Sequence, residues 1–186
     1  MSVGLLPAVG VLAQSFPAER IVAGASGDWS KDGATDLALL VAPAGDDEKI
    51  GIYLYVTEND RGLLKLVASA PDKVWGNARP DGFYGQEPTI TALANGSIAV
   101  MSQNSAIGRN RWEKTLTLAY REDRFIVAGY TYTYYDTLDL DDSGSCDYNV
   151  VTGKLKRDEA ARSVAPRSVS IEDWTDEIGS KACGLF

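Results

Sequence analysis

Histidine is absent from all 186 residues. That absence excludes every mechanism that uses an imidazole as base, acid or metal ligand, Ser-His-Asp and Cys-His arrangements included. Only two cysteines occur, too few to fill a structural zinc site by themselves. Basic residues are the minority charge, 18 against 26 acids for a net −8. The chain therefore lacks the cationic surplus from which nucleic-acid binding draws its affinity. No apolar run approaches the ~20 residues of a membrane-spanning helix; Gly4 to Ala13 is far shorter. No G-x-S-x-G elbow, phosphate-binding loop or dinucleotide fingerprint is present either.

What is present is an ordinary soluble composition, 45% apolar and 24% charged, with enough chain to bury one real core. We read residues 20–186 as a single domain and residues 1–19 as a leader or loosely docked segment. Val11, Leu12 and Ala13 before Gln14 have the look of a small-residue cleavage signal, although no Lys or Arg precedes Arg20 to supply the basic region of a signal peptide. A first buried strand is the alternative for this stretch. Cys146 and Cys183, if bridged, would tie the end of the chain to an acidic loop and stabilise it by roughly 3–4 kcal/mol in the chain-entropy model. A bridge would also imply an oxidising compartment; two separate buried thiols are the other reading. A periplasmic or secreted location is expected.

Strand signals dominate the order of the chain. Arg20 to Ala25 opens the series, and Leu37 to Ala42 is a continuous apolar run that suits a strand buried on both faces. Gly51–Thr57 and Leu63–Ala68 form a hairpin with a multi-residue loop. Residues 69–88, rich in Pro and Gly and carrying Trp75, Phe83 and Tyr84, are expected as one long ordered loop, either a binding loop or a cover over the core. Thr89–Met101 is read as a hairpin closed by a type I′ turn at Asn95-Gly96, which pairs Leu93 with Ile98 and Thr91 with Val100. A longer hairpin, 112–120 with 125–135, turns at Glu122-Asp123, and a pairing of Arg121 with Arg124 would set its faces. Trp112, Leu116, Leu118 and Tyr120 then join Phe125 and Val127 in the core, leaving Tyr130, Tyr132 and Tyr134 on the opposite face beside Glu113, Thr115 and Thr117. After the strand Tyr148–Val151, residues 158–163 suit a turn of helix and Val164–Ile171 a last strand. About nine or ten strands with almost no helix predict an all-β fold of antiparallel hairpins, a sandwich or a partial propeller-like sheet.

The most specific chemical signal is Gly27 to Pro43. Asp28, Ser30, Asp32 and Asp36 occupy positions 1, 3, 5 and 9 of a tight loop with Gly33 at position 6. Alternating oxygens around a glycine turn suit a hard cation such as calcium, whereas Asp and Gly also favour turns without any metal. Gly27, Asp28, Ser30, Asp32, Gly33, Asp36, Leu37, Val41, Ala42 and Pro43 resemble the calcium loop of FG-GAP and VCBS-type repeats, familiar from integrin propellers and bacterial secreted proteins. The resemblance implies Asp28, Ser30, Asp32 and Asp36 as side-chain ligands and Ala34 as a carbonyl ligand. Ser30 departs from the usual carboxylate or amide, which implies weaker affinity. A fainter echo runs from Asp139 through Asp141, Ser143 and Gly144 to Asp147.

Catalytic signals are thin. Glu87, Glu113 and Asp136 lie near aromatics, as in a carbohydrate site, but no spacing selects a pair. The surface signal is stronger: Tyr130, Tyr132 and Tyr134 with Trp75, Arg109 and Arg111 are the side-chain types that dominate interfaces, unless a second layer covers them. Together these features predict an extracytoplasmic calcium-binding β-domain that recognises another protein or an envelope glycan, in the manner of an inhibitor or immunity module. A small carboxylate glycoside hydrolase is the alternative.

Overall fold

The computed structural model describes residues 16–45, 49–77 and 84–185; the expected leader signal at Val11–Ala13 lies outside them. Among the described residues, eleven strands form two antiparallel meanders. The smaller sheet has the order β1 (Ile21–Gly27), β2 (Asp36–Val41), β3 (Ile50–Glu58) and β4 (Leu63–Val74). The larger runs from β5 (Thr89–Ala92) through β6 (Ile98–Asn104), β7 (Asn110–Arg121), β8 (Arg124–Asp136), β9 (Ser143–Asn149) and β10 (Lys154–Arg157) to β11 (Ala160–Ser163). One helix, α1 (Asp176–Cys183), follows. The expected all-β class holds, with the sandwich as its form.

β2 is buried on both faces, as its unbroken apolar run requires. Ala38 and Leu40 enter the main core, while Leu39 and Val41 join Tyr53 in a second cluster. Phe16 covers that cluster, its ring 4.8 Å from Tyr53, so the folded unit reaches back past residue 20. The main core lies between the sheets, where Ile52 and Leu54 meet Ile98, Leu118, Phe125 and Val127. A four-stranded sheet cannot cover a seven-stranded one. Trp174, Ile171 and Cys183 extend the core where α1 and the segment before it take over as the covering layer. Lys73 of β4 joins the two covers, donating to the carbonyls of Glu172 (2.7 Å) and Trp174 (2.8 Å).

Helix α1 is fixed along its length. Cys183 is disulfide-bonded to Cys146 of β9, with both residues buried. A Cβ on Gly179 would stand 2.7 Å from the Tyr130 ring, so only glycine permits this approach. Asp176 and Glu177 occupy the first turn and Lys181 the last, in line with the helix dipole. Gly184 ends it in the left-handed conformation, and its N–H donates to Lys181. These signals were readable in the sequence, yet the helix was not expected.

Several local readings are corrected. Residues 69–74 complete β4, so the expected long loop begins later, and Pro71 is tolerated because β4 is an edge strand. Ile98 pairs with Ala92 rather than Leu93. The Asn95 side chain accepts the Ser97 N–H, and of the pair only Gly96 is left-handed, so no type I′ turn forms. At Glu122-Asp123 both residues are left-handed, closing a two-residue turn with Arg121 opposite Arg124. Residues 160–163 form β11 rather than helix, and 164–171 make one isolated bridge, Ser170 to Ile126.

The decisive correction is a β-bulge. Thr117 pairs with Gly129 but Leu118 pairs with Val127, leaving Ala128 as an extra residue in β8. Because strand side chains alternate with period two, one inserted residue returns Tyr130, Tyr132 and Tyr134 to the face of Phe125 and Val127. The tyrosines are therefore on the inward face of the large sheet, not the outward one.

Candidate functional site

Where the two covering layers stop short of each other, the inward face of β7 and β8 forms the floor of a cleft of about 480 Å³. Trp75, just after β4, and Lys49 stand on one side; Asp176, Glu177 and Ser180 of α1 stand on the other. Trp112, Lys114, Tyr130 and Tyr132 make the floor. The pairing of Trp112 with Tyr134, Lys114 with Tyr132 and Leu116 with Tyr130 puts these side chains on one surface. A second cavity of about 280 Å³ continues it, sharing Trp112 and Tyr132 and adding Arg111, Tyr134, Tyr135 and Asp142. Ring centroids follow one another at 5.0 Å (Trp75–Trp112), 6.3 Å (Trp112–Tyr132) and 6.1 Å (Tyr132–Tyr134).

Lys114 is the polar centre of this surface. It occupies an inward position between Trp112 and Leu116, with only 8% of its side chain exposed, and its ammonium donates to Asp176 Oδ2 at 2.5 Å. A buried ammonium needs such a partner, and the pair also pins the first turn of α1 to the sheet. Burial, and then the Asp176 charge, push the Tyr130 hydroxyl well above the usual tyrosine range; burial and Tyr134 act likewise on Tyr132. Both phenols stay protonated across the physiological range and can donate.

The structure separates the residues expected for binding. Tyr130 is 2% exposed and belongs to the core, wedged under Gly179, so it is not a surface contact. Tyr132 and Tyr134 are half-buried lining, and Trp75 remains exposed at the rim. Arg157 donates to the Tyr134 hydroxyl at 3.1 Å. Arg111 lines the second cavity with its Nη1 buried and unpartnered among the described residues. Arg109 is committed to Asp136. Sequence reasoning missed Trp112, Lys114, Asp176, Glu177 and Ser180; a lysine in an inward strand position was the one available signal.

The aspartate loop is organised around two carboxylates. Asp28 accepts the N–H groups of Asp32 (3.1 Å) and Gly33 (3.0 Å), and its Oδ1 lies 3.5 Å from Ser30 Oγ. Gly33 is left-handed, as a sharp turn at this point requires. Asp32 accepts the Ala34 N–H. Asp36 is fully buried, and its two oxygens take the N–H groups of Trp29 (2.8 Å), Ser30 (3.0 Å) and, across the hairpin, Thr57 (3.0 Å). Backbone donors thus stabilise the Asp36 charge from inside the fold. Among the described residues no three acidic side chains converge closely enough to hold a metal ion. Asp28 and Asp32 lie on the exposed side of the loop, Ser30 is half-buried and Asp36 faces inward.

The fainter acidic echo is a turn over its first half alone, residues 139–142. Ser143 to Asp147 lie in β9, paired with Tyr135 to Thr131 of β8, so their side chains alternate between faces. Of the three candidate catalytic carboxylates, Glu113 is exposed on the outer face and Glu87 accepts the Gly85 N–H. Asp136 is buried, bonded to Arg109 at 2.5 Å and to the N–H groups of Leu138 and Asp139. The Arg109 hydrogen bond, with those backbone donors, holds its carboxyl below the usual range. Asp136 ties down the 137–142 turn.

No protein-family model, curated protein or solved structure matches the chain.

Two outcomes follow from these carboxylates. Asp36→Asn turns an amide donor toward backbone donors and should cost about 3 kcal/mol, read from urea melts; an unchanged midpoint would contradict the buried network. Asp136 has a depressed folded pKa, so its contribution is complete above the unfolded value and is lost as pH falls through the folded one. The Leu138 and Asp139 amide resonances should therefore shift only below about pH 4. A transition near neutrality would refute the assignment.

Proposed function

We propose that this chain is a non-catalytic binding module that holds its partner, an envelope glycan or a segment of another protein, in the aromatic cleft. The observation that carries this reading is the row of Trp75, Trp112, Tyr132 and Tyr134 along one open, largely apolar surface. Large, stiff amphipathic rings give contact area at little entropic cost, and a concave apolar site with a few placed polar groups is the usual form of a ligand pocket. An inhibitor or immunity role is one use of such a module. The buried disulfide supports an oxidising location, periplasmic or secreted. Among the described residues no helix is long and apolar enough to cross a membrane.

Calcium belongs to this reading as a structural ion. Asp28, Ser30 and Asp32, with the Ala34 carbonyl, would hold it and supply local charge neutralisation to the turn. Asp36 fastens the same turn through backbone hydrogen bonds. The FG-GAP-like character of the loop supports a role in securing the β1–β2 connection rather than in recognition.

Two measurements test the reading. Immobilised protein should retain one stoichiometric partner from an extracytoplasmic extract, and Trp75→Ala and Trp112→Ala should retain none while melting cooperatively; equal retention by both variants would remove the cleft from function. Calcium in excess over EDTA should raise the thermal midpoint of the wild type, and an unmoved midpoint would eliminate the cation.

A further inference from the structure

The charges lining the main cleft cancel. Lys49 and Lys114 face Asp176 and Glu177, and most of that charge is already spent. Lys114 is bonded to Asp176 at 2.5 Å, and Glu177 is bonded to Lys181 at 2.6 Å. Lys49 alone is left without an ion-pair partner among the described residues, so a charged ligand would meet little complementary field there and would lose its hydration on entry. The surface does offer flat apolar rings beside charge-assisted hydrogen-bonding groups. The Trp112 ring lies within 19° of parallel with Tyr132. At the floor, the Lys114 ammonium has donors beyond the one used on Asp176. The Asp176 carboxylate, half exposed, has its Oδ1 available as an acceptor.

We infer that the cleft takes an uncharged saccharide chain, its ring faces against Trp75, Trp112 and Tyr132 and its hydroxyls on the Lys114–Asp176 pair. This rests on the binding-module reading above and specifies its ligand. A pyranose ring presents an apolar C–H face with hydroxyls at its rim, which suits rings flanking a donor and acceptor held side by side. Hydroxyls bonded to charged groups form the stronger class of hydrogen bond. An extended peptide fits less well, because the floor is the face of a sheet rather than its edge. Side chains alone would have to satisfy the peptide's backbone N–H and C=O groups. The second cavity, sharing Trp112 and Tyr132 and adding Tyr134, continues the row and favours a chain over a single sugar.

The test is a tryptophan-fluorescence and calorimetric titration of the full chain with hexaoses of β-1,4-glucose, α-1,4-glucose and β-1,4-N-acetylglucosamine. Oligogalacturonate and heparin hexamers serve as the charged comparison. At least one uncharged hexaose should bind at submillimolar concentration and the charged ones should not. Trp75→Ala should weaken binding by about tenfold or more. The double variant Lys114→Met/Asp176→Leu puts apolar groups in place of an ion pair whose lysine is buried, leaving no unpaired charge inside; it should fold, keep the aromatic row and lose the saccharide. Tighter binding of the charged hexamers, or full affinity in the folded double variant, would overturn the inference. If no hexaose binds while capture of a partner still depends on Trp75 and Trp112, the saccharide is wrong and the cleft stands. If that capture is independent of both tryptophans, both readings fall.

Discussion

Strand β8 is one residue longer than its partner between Val127 and Gly129, and that residue, Ala128, decides what the large sheet presents to the interior. Were the same sequence paired regularly, with no bulge, Tyr130, Tyr132 and Tyr134 would face outward, and the inward face of β8 would carry Thr131 and Thr133 instead. With it, an apolar core at one end of the strand grades into an aromatic floor at the other. Bulges are found where a sheet must re-aim side chains. Here the re-aimed rings supply both the bed for α1, through the Gly179 contact with Tyr130, and the open row beside it.

The second constraint is width. Seven strands expose more inward surface than four can bury, so the chain spends its last segment on the remainder. Trp174, Ile171 and α1 complete the core over β8 to β10. The gap between this cover and β4 is bridged by Lys73 at one point and left open at another. The cleft is thus a product of how two layers of unequal size meet, and its rim is drawn from parts of the chain as distant as Lys49 and Ser180.

Composition and local pattern carried the fold class, the central strands and the disulfide pair. The run Leu37–Ala42 announced a doubly buried strand because no polar residue interrupts it, and Arg121 and Arg124 set a register that the structure keeps as far as the pair Leu118 and Val127. The site was only half legible. Tyr132, Tyr134 and Trp75 could be singled out as aromatics outside an obvious core. The face they occupy could not, because Gly129 beside Ala128 is the one local hint of a bulge, and a lone strand glycine does not fix whether an extra residue is present. Lys114 and Asp176 are far apart in sequence, and nothing local marks them as partners. Asp36 was conspicuous as a cation ligand, by its place before an apolar strand; the backbone N–H groups of Trp29, Ser30 and Thr57 that its two oxygens accept were invisible to spacing.

Helix α1 is held at its start by the Lys114–Asp176 pair, in its middle by the contact of Gly179 with Tyr130, and at its end by the bond from Cys183 to Cys146. Three attachments along eight residues leave this wall no hinge. The separation between wall and floor is set by those three attachments. On the binding reading proposed above, selection would act on the girth of the guest rather than on any closing movement of the host.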